Sequence, residues 1–271
     1  MKTRVFSPMF LTGAIVFMAI VLMVLAAPVL ATHDPIRVPV GEARLSPSVD
    51  HWFGTDQQGR DIFARVLYGG RVSLIVGFGS AALAAAIGIV VGAIAGLRRR
   101  WTDQVLMRAT DLFFVFPTIL FAACLVLVFG RNTWAMVLAV ALTTWPQIAR
   151  VVRSVTLEAA QSLFVQASRS NGIGEPTIFR LHLLPRIVSV LLPIVIASVA
   201  TGILTEASLS FLAIGVAEPN PSWGLMIASG RRFLTTSPHI ILFPAAAIVL
   251  TVGSLVLMHE AVSRGKKLTD D

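Results

Sequence analysis

Side chains that could bind a metal or act as nucleophiles are few in this sequence and widely spaced. The five histidines stand singly, and no two of them have the i, i+4 spacing of a helical metal site. They are His33, His51, His182, His239 and His259. Gly77-Phe78-Gly79-Ser80 has the wrong order for the Gly-x-Ser-Gly nucleophile of an intramembrane protease. The sequence therefore predicts neither a catalytic residue nor a protein-built metal centre.

A nucleotide-binding loop is also absent from the sequence. No Gly-x4-Gly-Lys-Ser/Thr occurs, and Gly265-Lys266-Lys267 lacks both the upstream glycine and the hydroxyl that would hold Mg²⁺. We therefore predict that the chain has no ATPase activity and no cofactor of its own.

Apolar residues dominate the composition. Hydrophobic residues make up 56% of the 271 positions and charged residues only 13%, which is too little polar surface for a soluble domain of this length. Six apolar runs approach the roughly 20 residues that a helix needs to cross the hydrocarbon. They are 8–31, 72–97, 105–129, 133–149, 187–212 and 240–258. The sequence predicts an all-α membrane protein with six transmembrane helices.

The first run has an alternative interpretation as a cleaved signal peptide. Lys2 and Arg4 would form its basic end, and Val29-Leu30-Ala31 its cleavage site. The apolar stretch is longer than a typical signal peptide core, which favours a retained span.

The distribution of basic residues predicts the orientation in the membrane. With an inside N-terminus, the inside segments hold 14 of the 22 lysines and arginines, and cytoplasmic loops carry such an excess. Both termini are therefore predicted to be cytoplasmic. The net charge of +8 is explained in the same way, and no basic patch interleaved with aromatics predicts nucleic-acid binding.

This topology divides the chain into three parts. Residues 1–71 form the first span and an external segment, residues 72–258 form a five-helix core, and residues 259–271 form a cytoplasmic tail. The core contains a cytoplasmic loop, 150–186, that is too charged to span.

Two acidic residues are predicted close to membrane depth, where charges are costly and often functional. Asp111 falls near the cytoplasmic end of the third run and is predicted to be interfacial. Glu206 falls near the outer end of the fifth run, where it lines a pathway, makes a structural hydrogen bond or lies at the interface. No partner for either residue is evident from the sequence.

Small residues recur on one face of the second run. Gly88, Gly92 and Gly96 are spaced by four, which allows close approach of another helix. That helix could belong to this chain or to a second subunit.

The external segment begins as an extended loop, His33 to Asp50, and then becomes helical. Thr55 or Asp56 is predicted to cap a short amphipathic helix at the outer membrane surface. Its apolar side would carry Ile62, Phe63, Val66 and Leu67, and Asp61 and Arg65 would pair at i, i+4.

The loop 150–186 is predicted to form a helix, a turn and a second helical stretch. Helical sequence runs from Thr156 to Ser170, the stop residues Asn171-Gly172-Ile173-Gly174 follow, and a second stretch ends at Pro185. Such a structure is either a simple connector or a rigid projection that a soluble partner can bind.

The same loop resembles the Glu-Ala-Ala loop of ABC-importer permeases. Gln166-Ala167-Ser168, Gly172 and Leu184-Pro185 have that spacing. The match departs from the pattern at three places, since Gln166 stands at the glutamate position, Ser168 at the second alanine and His182 at the isoleucine. Glu158-Ala159-Ala160 matches literally but places Phe164 at the glycine position, so it is out of register.

Further motifs resemble the dipeptide/oligopeptide/nickel branch of these permeases. They are His51-Trp52-Phe53-Gly54-Thr55-Asp56, Gly59-Arg60-Asp61, Arg71-Val72-Ser73-Leu74, the run Glu206 to Leu212, and Pro221-Ser222-Trp223-Gly224. The resemblance covers about residues 50–245 and is to the C-type member of a permease heterodimer. Ala213 replaces a usual glycine, and the branch's C-terminal pattern is not visible between Gly253 and Arg264, which leaves the role of the tail undefined.

The resemblance implies a type I ABC importer permease fold in a bacterial inner membrane. It implies a second homologous permease, two cytoplasmic ATPases that carry ATP and Mg²⁺, and an extracytoplasmic substrate-binding protein. Coupling to the ATPases would involve Val165, Gln166, Ala167, Ser168, Gly172, Leu184 and Pro185. Dipeptides or oligopeptides are the expected cargo, with nickel or another metal chelate as the alternative. A stand-alone carrier or channel subunit is the alternative from a different class.

Overall fold

The computed structural model describes residues 7–98 and 101–270. Across these residues the chain is helical and contains no strand, apart from a single bridge between Thr55 and Asp61. The helices are α1 (Pro8–Leu25), α2 (Ala27–Leu30), α3 (Ile62–Leu97), α4 (Trp101–Val115), α5 (Thr118–Phe129), α6 (Thr133–Ala160), α7 (Leu163–Ser170), α8 (Glu175–Ile178), α9 (Leu184–Phe211), α10 (Trp223–Gly230) and α11 (His239–Asp270). A π-helical turn, Phe179–Leu183, joins α8 to α9, and a 3-10 turn, Arg231–Phe233, follows α10.

Five helical segments are long and apolar enough to cross a membrane, and there are six candidate spans when the bent pair α4 and α5 is counted as one. The five are Pro8–Leu25, Ile62–Leu97, Thr133–Ala160, Glu175–Phe211 and His239–Gly265. The predicted span over 105–129 is not one continuous helix, because α4 and α5 meet at an angle of 92°. Pro117 causes the break, since it cannot donate a helical hydrogen bond and disfavours helical geometry at Phe116.

The second span begins earlier than the sequence indicated. Helix α3 starts at Ile62, and its cap is Asp61, whose Oδ1 accepts from Ala64 N at 2.7 Å, so the prediction of Thr55 or Asp56 as the cap is wrong. The predicted short amphipathic surface helix is also wrong, because these residues are the first turns of α3 and Arg65 is buried together with the apolar residues.

Ion pairing at the start of α3 also differs from the prediction. Arg65 Nε lies 3.5 Å from Asp56 Oδ2 rather than pairing with Asp61. Arg60 Nε donates to the same Asp56 oxygen at 2.7 Å. Both arginines are buried, so this carboxylate holds the external segment against the helix bundle.

The boundaries of several other helices also differ from the predicted apolar runs. The first run contains a break at Ala26 between α1 and α2, and α6 continues to Ala160. Helix α11 continues to Asp270, so the predicted boundary at 258/259 lies inside a helix. Charged residues can extend a helix into water, whereas hydropathy detects only the part in lipid. The predicted signal-peptide residues Lys2 and Arg4, and Asp271 of the tail, lie outside the described residues.

The glycine face of α3 packs against α6 within the chain. A Cβ on Gly88 or Gly96 would lie 2.7 Å from Ile148 or 2.6 Å from Thr156, respectively. A Cβ on Gly92 would lie 2.7 Å from the Cβ of Val152. This helix pair is therefore the close intrachain contact that small residues allow in lipid.

The chain after α9 folds back onto the start of α3 and the end of α9. Trp223 is buried, and its Nε1 donates to the carbonyl of Val66 in α3 at 2.8 Å. A Cβ on Gly224 would lie 2.5 Å from the carbonyl oxygen of Ala207 in α9, so only glycine allows α10 to approach this closely. Helix α10 therefore ties α3 to α9.

Candidate functional site

The loop 150–186 contains a short helix separated from the span before it. The predicted continuous helix from Thr156 to Ser170 is wrong, because α6 ends at Ala160 and α7 begins at Leu163. Ser162 has extended backbone geometry at the start of α7, as expected for a residue type that favours helix N-caps. The break gives α7 a direction of its own.

The turn after α7 has the hydrogen bonds of a Schellman motif. Gly172 has φ +75°, its N–H donates to the carbonyl of Arg169 at 3.0 Å, and Ile173 N donates to that of Ser168 at 3.1 Å. This confirms the predicted helix stop at Asn171-Gly172. Because no atom lies within 4 Å of a Cβ built on Gly172, the positive φ rather than crowding requires glycine here.

One face of α7 is anchored and another is exposed. Val165 is buried in the core formed by α3, α6 and α9, and Ser168 is also buried. By contrast, Leu163 is 85% exposed and Phe164 60% exposed. Of the predicted coupling residues, Gln166 lies on the exposed part of the helix. The helix therefore presents large apolar side chains while its inner face stays fixed.

Two contacts hold α7 against the segment that follows it. Arg169 Nε lies 2.6 Å from Glu175 Oε1, an exposed ion pair that spans the Gly172 turn. The rings of Phe164 and His182 meet edge to face, with centroids 4.5 Å apart. Helix α7, α8 and the π-helical turn thus form one connected unit.

Leu184 and Pro185 open the fifth span. The prediction that the loop's second helical stretch ends at Pro185 is wrong, because Pro185 lies in the first turn of α9. A proline is tolerated there since first-turn N–H groups lack intrahelical acceptors. Here helical geometry continues from Glu175 to Phe211, and the π-helical turn just before Pro185 accommodates the ring. Of the predicted coupling residues, these two therefore belong to the span, and the others to α7 and its turn.

The acidic residues at membrane depth both have partners that the sequence did not reveal. Arg150 Nη2 donates to Asp111 Oδ1 at 2.6 Å, and both side chains are about half exposed. Because Arg150 and Asp111 are 39 positions apart, their spacing in the sequence does not indicate a pair. Only the packing of α4 against α6 identifies it. A second pair with the same arrangement joins Arg153 to Asp103.

Glu206 is completely enclosed by this chain. Its Oε2 accepts from Ser73 Oγ at 2.8 Å, and its Oε1 accepts from Ser210 Oγ at 2.7 Å. A wholly buried carboxylate whose two oxygens are both bonded inside the subunit does not line a pathway surface. The geometry therefore favours the structural hydrogen bond and not the predicted pathway role.

The fold and the loop agree with a match to a known family. The family described as the inner membrane component of binding-protein-dependent transport systems matches residues 88–265, which is more than half of the chain and includes α7 and its turn. The chain belongs to this family. It is an ABC importer permease subunit, and the resemblance predicted from the loop 150–186 is confirmed.

Relatives of this permease carry peptide-transport names. The chain is 38% identical over 242 residues to a protein of Brucella suis biovar 1 described as a peptide permease, covering 89% of this chain and 80% of the relative. It is 39% identical over 216 residues to the glutathione transport system permease protein GsiD of Escherichia coli O6:K15:H31, covering 80% and 71% of the two chains.

A solved structure has the same fold as this permease. The inward-facing MetNI methionine ABC transporter superposes with a TM-score of 0.60, at 19% identity, covering 74% of this chain and 95% of that one. The predicted all-α, multi-pass membrane fold of a type I importer permease is therefore confirmed.

Proposed function

We propose that this permease is the C-type member of a heterodimer that imports dipeptides or oligopeptides. A second homologous permease completes the pathway, two cytoplasmic ATPases supply the energy, and an extracytoplasmic binding protein delivers the cargo. Helix α7 is the observation that carries the proposal. Its Val165 is buried in the core, yet Leu163 and Phe164 are exposed on the charged loop 150–186.

The exposed apolar residues of α7 support a protein partner. Isolated apolar side chains are common on surfaces, but here two adjacent ones project from a short helix between two spans. A partner that grips this helix can move α6 and α9 together, because α7 is fixed to the core of both. Closure of the partner ATPase around ATP would then open the pathway alternately to the two sides of the membrane.

The charge distribution supports an orientation with both termini and α7 in the cytoplasm. The external segment contributes most of the basic residues that oppose this assignment. Two of them, Arg60 and Arg65, are buried around Asp56 and therefore do not act as free basic charges.

Peptides are the preferred cargo because both relatives described above carry names of peptide or glutathione transport, and glutathione is itself a small peptide. A nickel or other metal chelate is the alternative, and the external binding protein would make the choice.

Purification of the tagged permease from cells tests the partnership. We expect a cytoplasmic ATPase to co-purify with the natural chain and to be lost when Leu163→Asp and Phe164→Asp are combined, since charges would disrupt an apolar contact. Val40→Asp is the matched control, because Val40 is 100% exposed on the external segment. Uptake of a labelled dipeptide by the permease alone, without ATP or any ATPase, would contradict the proposal and indicate a stand-alone carrier.

A further inference from the structure

Residues of the external segment that are far apart in sequence form a cluster of metal-ligand types. One ligand atom each from His33, His51 and Asp61 lies within 4.8 Å of the others. The rings of His33 and His51 are 4.6 Å apart between centroids. His33 and His51 are therefore far apart in the sequence but adjacent in the structure.

The two carboxylate oxygens of Asp61 have different partners. Its Oδ1 accepts from Ala64 N and caps α3, while its Oδ2 lies 2.9 Å from Nδ1 of His51. Two atoms at this separation can both lie about 2.1 Å from one metal ion at nearly a right angle. An ion placed between them would leave the helix cap intact.

Glu42 approaches the opposite nitrogen of the His51 ring. Its Oε2 lies 3.6 Å from His51 Nε2. When a metal takes Nδ1, the ring proton resides on Nε2, and a carboxylate beside that N–H fixes the tautomer and orients the ligand. The backbone of Glu42 is held in turn, because its carbonyl accepts from the hydroxyl of Thr55.

An acidic cavity gives the cluster access to solvent. It has a volume of about 760 Å³, and its lining includes His33, His51 and Asp61. The lining also contains the acidic residues Asp34, Glu42 and Asp50 and the basic residue Arg37. Four carboxylates against one guanidinium favour a cation over an anion.

We propose that His33, His51 and Asp61 bind a divalent transition-metal ion, with Glu42 orienting His51. Two imidazoles and a carboxylate are donors that suit Zn²⁺, Ni²⁺ or Co²⁺ better than Mg²⁺ or Ca²⁺. The ion takes the place of the proton on Nδ1 of His51, and the neutral ring carries its proton on Nε2 instead, beside Glu42. Binding would tie the loop after α2 to the start of α3 and so stiffen the external face. The site does not depend on which cargo the permease carries.

Metal titration of the full chain in lipid nanodiscs, with its co-purified subunits and with any histidine tag removed, tests the site. We expect Co²⁺ to give a visible ligand-field spectrum with one more equivalent bound by the natural chain than by His33→Ala. The affinity for Zn²⁺ should fall by more than about tenfold in His33→Ala, because losing a ligand should cost at least as much as losing a group that only orients one. His33 is the chosen position because it is exposed and caps no helix.

Three further variants make the result decisive. Glu42→Gln should weaken binding less than His33→Ala does. Asp50→Asn, which removes a carboxylate from the same cavity outside the cluster, and His182→Ala, in the loop 150–186, should bind as the natural chain does. Equal affinity in His33→Ala and the natural chain, or an equal loss in Asp50→Asn, would overturn the proposal. ATPase co-purification should be unchanged in His33→Ala, Glu42→Gln and Asp50→Asn, which separates this test from that of the proposed function.

Discussion

Gly92 marks the closest approach of α3 and α6, and its lack of a side chain is a packing requirement. A Cβ at this position would meet the carbonyl of Ala149 and would lie 2.7 Å from the Cβ of Val152. Backbone and β-carbon atoms cannot rotate away, so the helices would have to separate. The spacing of the α3 glycines indicated a close contact, and the structure identifies α6 as the partner.

Gly92→Ala is therefore expected to destabilise the permease by about 1–3 kcal/mol, the usual cost of overpacking. Thermal unfolding in detergent measures the effect. The matched control is Gly253→Ala in α11, where nothing lies within 4 Å of the added Cβ and helix propensity improves. Equal unfolding temperatures for the two variants would contradict the tight α3–α6 contact.

Glu206 provides a second prediction for a single residue. Glu206→Gln keeps an acceptor oxygen and adds an amide that can donate to a serine hydroxyl, so stability and uptake should stay close to those of the natural chain. Glu206→Ala leaves the hydroxyls of Ser73 and Ser210 without their carboxylate and opens a cavity, which should cost about 2–4 kcal/mol. Loss of uptake in Glu206→Gln at unchanged stability would instead indicate that the negative charge acts in transport.

At the scale of elements, the turn after α7 fixes the direction in which the helix leaves the loop. Gly172→Val should impose strain of about 1–2 kcal/mol, because a β-branched residue is disfavoured at φ +75°. Under the proposed function, uptake should fall while ATP hydrolysis by the co-purified ATPase continues, since α7 would no longer transmit the movement. Uptake and hydrolysis assays on the same preparation measure the two effects.

Two neighbouring variants serve as controls for that experiment. Gly172→Asn should retain most uptake, because asparagine tolerates left-handed geometry. Gly174→Ala should be neutral, since Gly174 has φ −67° and its nearest neighbour beyond the adjoining residues lies 3.8 Å away. Full uptake by Gly172→Val would rule against a coupling role for this turn.

Ion pairs between α4 and α6 should differ in strength according to their exposure. Arg153 binds both oxygens of Asp103, at 2.5 and 2.6 Å, and these side chains are less exposed than those of Arg150 and Asp111. Double-mutant cycles with alanine should give a coupling energy of about 1 kcal/mol or more for Arg153–Asp103 and below about 0.5 kcal/mol for Arg150–Asp111. The opposite ranking in unfolding measurements would mean that burial does not determine the strength of these two ion pairs.

At the scale of the whole molecule, the proposed topology places α7 and the external segment on opposite sides of the membrane. In a Cys124→Ala background, Val40→Cys should react with an impermeant maleimide in intact cells. Ser170→Cys, on the exposed part of α7, should react only after the membrane is opened. Labelling of Ser170→Cys in intact cells would reverse the orientation and remove the basis for an ATPase contact.

Hydropathy and local residue types identified most of the architecture but not its irregularities. The sequence located the spans and the stop at Gly172, because both depend on nearby residues. It missed the bend at Pro117 and the separate start of α7 after Ser162. In both places the apolar or helical pattern continues on either side, so a single interrupting residue did not indicate a helix end. Motif spacing selected the predicted coupling residues of α7, whose role stays a prediction, whereas the exposure of their side chains is known only from the structure.

Sequence alone indicates that this chain lies in lipid, that it contains no nucleotide-binding loop and that it belongs with importer permeases. Composition, run length and motif spacing carry that information because they do not depend on which helices touch. The folded structure was needed to show that the glycines of α3 face α6, that Glu206 accepts hydrogen bonds from two serines and that His33 lies beside His51. These contacts join residues far apart in the chain, and packing rather than local preference brings them together.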